Sequence, residues 1–300
     1  MSPITTVLGL AIYRESVQAV AVERAQAGSV LHAIDEWKNP LPLDAPQPPA
    51  AGFQEFRDTL AAFLKVNRLR CRTACVALDS SLLFLNTIPF LRSATHAHLS
   101  SHMGWELRQF YPETPPEDFI SDFVKLSPRL DTPHDEYLSV AVRRRHARMI
   151  EALLANQDLE LETLDADHFS AETALRVNYP DSVRRYLAFA GFKPGRVDVS
   201  LIRNGHIESF RYMLSGPAHA PEDAVVTVAR ETTGLQAIVA YGPSLTKEIL
   251  LRIRRASPIL VEAVNPLRRI QVSDSVRLSD SLHSPPYRFT SAIGSVLRQE

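Results

Sequence analysis

Apolar positions along the chain fall into short runs whose period changes from two to nearly four and back. Val7 to Ile12 (V-L-G-L-A-I) stops at polar Arg14-Glu15-Ser16 and resumes as V-Q-A-V-A-V from Val17 to Val22. β-rich runs broken by a short polar turn predict a hairpin. Ser29 to Trp37 predicts a third strand after a turn at Ala27-Gly28. Pro40, Pro42, Pro46, Pro48 and Pro49 follow, too dense for regular structure, and predict a surface loop. Phe53, Phe56, Leu60, Phe63 and Leu64 then recur at helical spacing, which predicts a helix from about Phe53 to Val66 with one buried stripe.

From Thr73 to Asp165 the pattern reads strand, strand, helix, strand, strand, helix, strand. The strands are Ala74 to Leu78, Leu82 to Ile88, Phe119 to Leu126, Tyr137 to Val142 and Leu159 to Leu164. The helices are Ala97 to Tyr111, stopped before Pro112, and Arg145 to Asn156. The order predicts a self-contained α+β module with a half-covered sheet. Asp167 to Leu175 predicts a helix, with Asp167 as its N-cap. Tyr186 to Gly191 opens a second strand group. Lys193-Pro194-Gly195 turns it into Arg196 to Ile202, and Asn204-Gly205, a strong hairpin signal, turns that into Ile207 to Met213. After Glu222 to Thr233 come a strand at Gln236 to Tyr241, a helix reaching Arg254 capped by Ser244 or Thr246, and a strand at Ile259 to Val264.

Three hundred residues suit one large or two moderate domains, and 45% hydrophobic with 22% charged residues is ordinary globular composition. The formal charge of −1 offers no whole-chain field for nucleic acid or an anionic membrane. Arg143-Arg144-Arg145, Arg184-Arg185, Arg252 to Arg255 and Arg268-Arg269 are short and interrupted by acidic residues, as on solvated faces, so no nucleic-acid partner is expected. No secretory signal is expected, and no apolar run approaches the ~18–20 residues that span a bilayer. Cys71 and Cys75 fit reduced structural cysteines. His96, His98 and His102 include a pair four apart, but without a third ligand or an intervening Glu they read as surface histidines, and no metal is expected.

The opening resembles that of the PilM/FtsA family of actin-like ATPases, close to V-G-I-D-I-G-S-S-S-V-K-A-V. Leu8-Gly9-Leu10 match its first strand, and Ser16-Val17, Ala19 and Val20 its return. Trp105 to Leu126 is similar to the family's E-A-E-Q-Y-I-P…L-D-F-Q-V-L segment through Glu106, Tyr111, Pro112, Asp122, Phe123 and Leu126. Ala141, Arg143, Leu153, Leu154 and Asp165 sit on its next stretch. Asn265-Pro266 and the closing A-I-G-S-V-L-R, Ala292 to Arg298, match its V-x-x-x-N-P-F and A-I-G-x-A-L-R elements.

The resemblance implies an actin-like, ribonuclease H-like two-domain α/β fold. Residues 1–73 and 166–180 would form the first domain core, 74–165 an inserted α+β subdomain, and 181–300 a reduced second domain whose C-terminal helix returns. It also places the nucleotide-site positions on Ala11, Tyr13, Gln18, Phe189, Gly191, Tyr241 and Gly242. Ala11 and Phe189 stand where the family has aspartates, Tyr13 where it has glycine, Gln18 where it has lysine, and Tyr241 where glycines make room for adenosine. Without those groups magnesium and phosphate lose their ligands. The expectation is therefore a pseudo-ATPase with no catalytic residues and no ATP or magnesium cofactor.

The implied role is a cytoplasmic scaffold of a type IV pilus machine. It would bind the N-terminal cytoplasmic tail of a PilN-like inner-membrane protein and other pilus assembly proteins, and reach the membrane only through that partner. The peptide site is expected within Ala74 to Leu126 and the face of the opening domain. Alternatives are a GspL-like type II secretion scaffold, whose family continues into a transmembrane helix not seen in this sequence, and an actin-like ATPase.

Overall fold

The computed structural model describes residues 5–25, 28–43, 50–127, 133–216, 219–277 and 284–298. The turn residue Ala27 and Pro46, Pro48 and Pro49 of the proline-dense loop lie outside them. Strands β1 (Thr5–Ile12), β2 (Ser16–Ala25) and β3 (Gly28–Lys38) form the expected antiparallel meander. Next come α1 (Ala50–Val66), β4 (Thr73–Leu78), β5 (Phe84–Leu91), α2 (His96–Phe110), β6 (Phe119–Lys125), β7 (His134–Arg143), α3 (Arg144–Ala155), β8 (Glu160–Ala166) and α4 (Asp167–Asn178). The second half holds β9 (Tyr186–Lys193), β10 (Arg196–Arg203), β11 (His206–Leu214), α5 (Pro221–Glu231), β12 (Ala237–Tyr241), α6 (Lys247–Ala256) and β13 (Leu260–Ala263). It ends with β14 (Gln271–Val272), α7 (Asp274–Arg277) and α8 (Thr290–Leu297).

Two sheets repeat one topology. The first runs β14-β3-β2-β1-β4-β8 and the second β11-β10-β9-β12-β13. In each, a three-stranded antiparallel meander is continued by two parallel strands. Parallel strands need covered faces, and both sheets have them. Leu8, Leu10 and Ile12 meet Phe56, Leu60 and Phe63 of α1 and Ile150, Leu153 and Leu154 of α3 on the outer side. Val7, Ala11 and Tyr13 meet Ala292, Ile293 and Val296 of α8 on the inner side. The second sheet is covered outside by α5 and α6 and inside by Ala171 and Leu175 of α4.

Helices α4 and α8 thus lie back to back between the two sheets. Their closeness demands glycine, since a Cβ on Gly294 would sit 1.7 Å from the Ser170 carbonyl oxygen. This stacking carries the chain's end back onto the first lobe.

The third sheet, β5-β7-β6, is covered on one face by α2 through Phe84, Met103, Leu107 and Phe119. Its extent corrects the sequence reading of a self-contained module over 74–165. Strands β4 and β8 belong to the first sheet, where β4 pairs in parallel with β1 on one side and β8 on the other. The run A-C-V-A-L is buried throughout, as a central parallel strand requires. Helix α3 likewise packs into the first core, so the part that stands apart spans residues 84–143. Pro89 is tolerated within β5 because β5 is an edge strand. Ser127 N–H donates to the Ile207 carbonyl (2.9 Å), tying this part to the second lobe.

Candidate functional site

Two places hold the sequence-predicted positions: the interface between the lobes, and the space between the third sheet and the first.

At the interface all seven positions are buried: Ala11, Tyr13, Gln18, Phe189, Gly191, Tyr241 and Gly242. The Phe189 and Tyr241 rings stack with centroids 4.7 Å apart. A Cβ on Gly191 would lie 2.5 Å from the Tyr241 hydroxyl oxygen, so the room left by this glycine houses a tyrosine. Gly242 has φ +119° and lies against Phe192, where a Cβ would fall 2.3 Å from the carbonyl oxygen. The Tyr13 hydroxyl donates to Ser291 Oγ (3.0 Å), while Gln18 Nε2 donates to Glu36 Oε1 (3.2 Å), whose carboxylate also receives Arg288 Nη2 (3.0 Å). Each of the side chains at these positions is therefore used for packing or for an internal hydrogen bond.

Deeper in the interface lies a charged cluster that sequence reading missed. Lys193, at the end of β9, is buried and donates to Asp167 Oδ1 (2.7 Å), Asp198 Oδ2 (2.5 Å) and Ser80 Oγ, with Asp79 Oδ1 at 3.9 Å. Ser80 Oγ donates to Asp198 Oδ2 (2.5 Å), and its N–H donates to Asp167 Oδ1 (2.8 Å). Arg196 Nε donates to Asp198 Oδ1 (2.5 Å). Beside them the Tyr241 hydroxyl lies 2.9 Å from His168 Nδ1, and His168 Nε2 lies 2.8 Å from Ser200 Oγ.

Asp167 is not the N-cap that the sequence suggested. Ala166 holds that place, and the Asp167 carboxylate points away from its own helix to Ser80 and Lys193. Burial pushes the Asp167 carboxyl up to about 6, with Lys193 acting against it. For Asp198, burial acts upward but Lys193 and Arg196 outweigh it and hold the carboxyl well below the usual range. Burial lowers His168 to about 3, so its imidazole is neutral. These residues do not fit a magnesium–nucleotide group: the carboxylates are engaged by an internal ammonium, and the glycine-made space is filled by an aromatic ring.

The second place is open. A groove of about 830 Å³ runs between β6 and β8. Both are edge strands of their sheets among the described residues, so each turns an unpaired row of backbone groups outward. Ile120, Asp122 and Val124 of β6 pair with Val142, Val140 and Leu138 of β7, which puts all six on one face. Ile120 and Val124 are each 44% exposed. Leu83, Leu164 and Phe169 complete the apolar lining. The rim is charged: Arg24 Nη1 donates to Glu162 Oε1 (2.6 Å) and Arg298 Nη1 to Asp165 Oδ2 (2.5 Å).

Of the stretch expected to bind peptide, Leu83, Ile120, Ser121, Asp122 and Val124 line the groove. The β8 wall, Val140, Val142, Phe169 and Arg298 were not anticipated. Alternation of exposed apolar residues on β6 was the available signal, but the partner wall required knowing where β8 lies. The histidines sit on α2, where His98 closes a capping box with Thr95 and His102 approaches Glu106 (3.2 Å). Among the described residues no set of three or more His, Cys, Asp or Glu converges as metal ligands, and no helix is long and apolar enough to cross a membrane.

No protein-family model matches the chain, and no curated protein matches its sequence. Solved structures do match. A chain of a PilM–PilN type IV pilus biogenesis complex superposes with a TM-score of 0.75 at 16% identity, over 98% of each chain. A Bacteroides thetaiotaomicron protein with an actin-like ATPase fold and unknown function gives 0.54 at 11% identity, over 87% of this chain and 91% of that one. The cytoplasmic domain of EpsL, an inner-membrane component of the Vibrio cholerae type II secretion system, gives 0.52 at 10% identity, over 98% and 94%. The fold is that of the actin-like ATPases.

Proposed function

We propose that this chain, built on the actin-like ATPase fold, is a non-catalytic scaffold that holds an extended segment of a partner protein in the groove between β6 and β8. The observation that carries the reading is the groove itself: two strand edges, unpaired among the described residues, face an apolar floor rimmed by charge. An extended peptide can add main-chain hydrogen bonds to such an edge and seat alternate side chains in the floor. The similarity in fold to a PilM–PilN complex and to an inner-membrane secretion component favours a pilus or secretion machine, with the cytoplasmic tail of a PilN-like inner-membrane protein as the segment. In that role the chain is cytoplasmic and reaches the membrane through its partner.

The ATPase alternative needs free carboxylates for magnesium and an open phosphate cradle. Lys193 and Tyr241 stand against both requirements. The test is a fluorescence titration of the full chain with a labelled peptide copying the N-terminal cytoplasmic tail of a PilN-like inner-membrane protein. Saturable binding that weakens in Val124→Asp and Ile120→Asp is the expected result. Binding indifferent to both changes would move the site elsewhere, and no binding would remove the pilus assignment.

A further inference from the structure

The interface between the lobes shows how an actin-like chain can stay closed without its usual ligand. The participants come from both halves: Asp79 and Ser80 follow β4, Asp167 opens α4, and Lys193 and Asp198 belong to β9 and β10. The bonds from Lys193 to Ser80 and from Ser80 to Asp198 cross between the second sheet and the segment that follows β4 of the first, while Asp167 stands at the start of α4, between the two sheets. An ammonium has three N–H donors, and here all three are used, on Ser80, Asp167 and Asp198. The Lys193-Pro194-Gly195 turn, with Gly195 at φ +69°, sets the lysine at the end of β9 where its stem reaches inward. Arg196 meets Asp198 at its other oxygen, but the three buried carboxylates within 4 Å of the Lys193 ammonium would still repel one another without that ammonium among them.

We infer that Lys193 is a built-in cation, supplying from within the chain the positive charge that closes the two lobes on each other, so that closure needs neither metal nor nucleotide. The residue acts through position and charge, and the inference is independent of what the groove binds. Buried pairs often add little net stability, but removing one partner leaves an uncompensated charge and is strongly destabilising. Here the orphaned charges would be carboxylates on both lobes.

The test is chemical rescue. Lys193→Ala is expected to melt roughly 10 °C below the wild type, from the usual cost of breaking a buried pair and the size of the chain. Methylammonium chloride, which carries three N–H donors, is expected to raise that melting temperature. Tetramethylammonium chloride at the same concentration, which has no donor, is expected to leave it unchanged, and the wild type should respond to neither. A variant that melts like the wild type, or responds equally to both salts, overturns the inference. Lys193→Ala/Asp167→Asn removes one charge of each sign at the carboxylate that Lys193 pairs with, leaves the Arg196–Asp198 pair intact, and keeps the proposal testable if the single variant does not fold. It is expected to be folded and more stable than Lys193→Ala; a double variant that is unfolded or no better than the single one overturns the charge argument.

Discussion

The interface between the lobes and the groove beside the third sheet differ in what their polar and apolar groups do. At the interface the polar groups are turned on one another: Lys193 finds three acceptors, and Tyr241 fills the space beside Gly191. In the groove the reverse holds. Two strand edges lack partners among the described residues, and Ile120 and Val124 stay exposed over an apolar floor. A closed interior stabilises and an open edge binds, so substitutions should separate the two regions cleanly: stability should move with the first, affinity with the second.

The largest stability effect is expected from Phe189→Ala. It removes a ring stacked on Tyr241 in a space with no exposure and should cost about 3–5 kcal/mol in urea unfolding. A loss below ~1 kcal/mol would mean that the interface is loosely packed. Next comes pH. His168 titrates at about 3 when folded against 6.5 when unfolded, so the unfolded chain binds the extra proton first. Stability attributable to His168 is present above pH 6.5 and is lost as pH falls towards 3. The excess stability of wild type over His168→Gln should therefore shrink by the order of 4 kcal/mol across that window. Asp167, raised to about 6, acts in the opposite sense between 3.8 and 6, which is why the difference between variants is the useful quantity.

A smaller effect is expected at Glu172, whose carboxyl burial raises to about 7 despite Arg176. Its contribution is favourable while the acid is protonated and is lost as pH rises from 4.5 through 7. Glu172→Gln should then be more stable than wild type at pH 8, by about 1–3 kcal/mol, with no gain at pH 4. Smallest on stability are Val124→Asp and Ile120→Asp, expected within ~0.5 kcal/mol of wild type because both side chains are already half in solvent. The same changes should weaken the tail peptide at least about tenfold, or 1.4 kcal/mol. If they unfold the chain instead, the groove floor is part of the core.

Legibility in the sequence followed the range of the interactions. The hairpins were plain because each is set by neighbours: Asn204 and Gly205 carry the positive φ values that their turn needs, and Arg14 to Ser16 break the first pair. Helix α6 begins after Thr246, one of the two caps offered, because its hydroxyl accepts the Ile249 N–H. What failed was assignment across distance. A buried parallel strand such as β4 has the same apolar pattern in either sheet, so its place beside β1 could not be read locally. The seven positions set against a nucleotide site rest only on what the resemblance implies; the structure shows that they are buried. The residues that occupy the cluster were missed, with Lys193 read as part of a turn. A hint was present in V-D-V-S-L, where Asp198 interrupts an apolar strand and so demands a buried partner. The cations that meet it lie two and five residues away, and the remaining acceptors of Lys193 lie more than a hundred residues off or across α4.

The most direct measurement is a calorimetric titration of the full chain with the PilN-like tail peptide, run with and without Mg-ATP, alongside Mg-ATP alone. With the interface filled by Tyr241 and Lys193 and the groove open, the peptide should bind with unchanged affinity in both buffers, and Mg-ATP alone should give no saturable heat. Saturable micromolar binding of Mg-ATP, or peptide binding that requires it, would contradict a lobe interface closed from within.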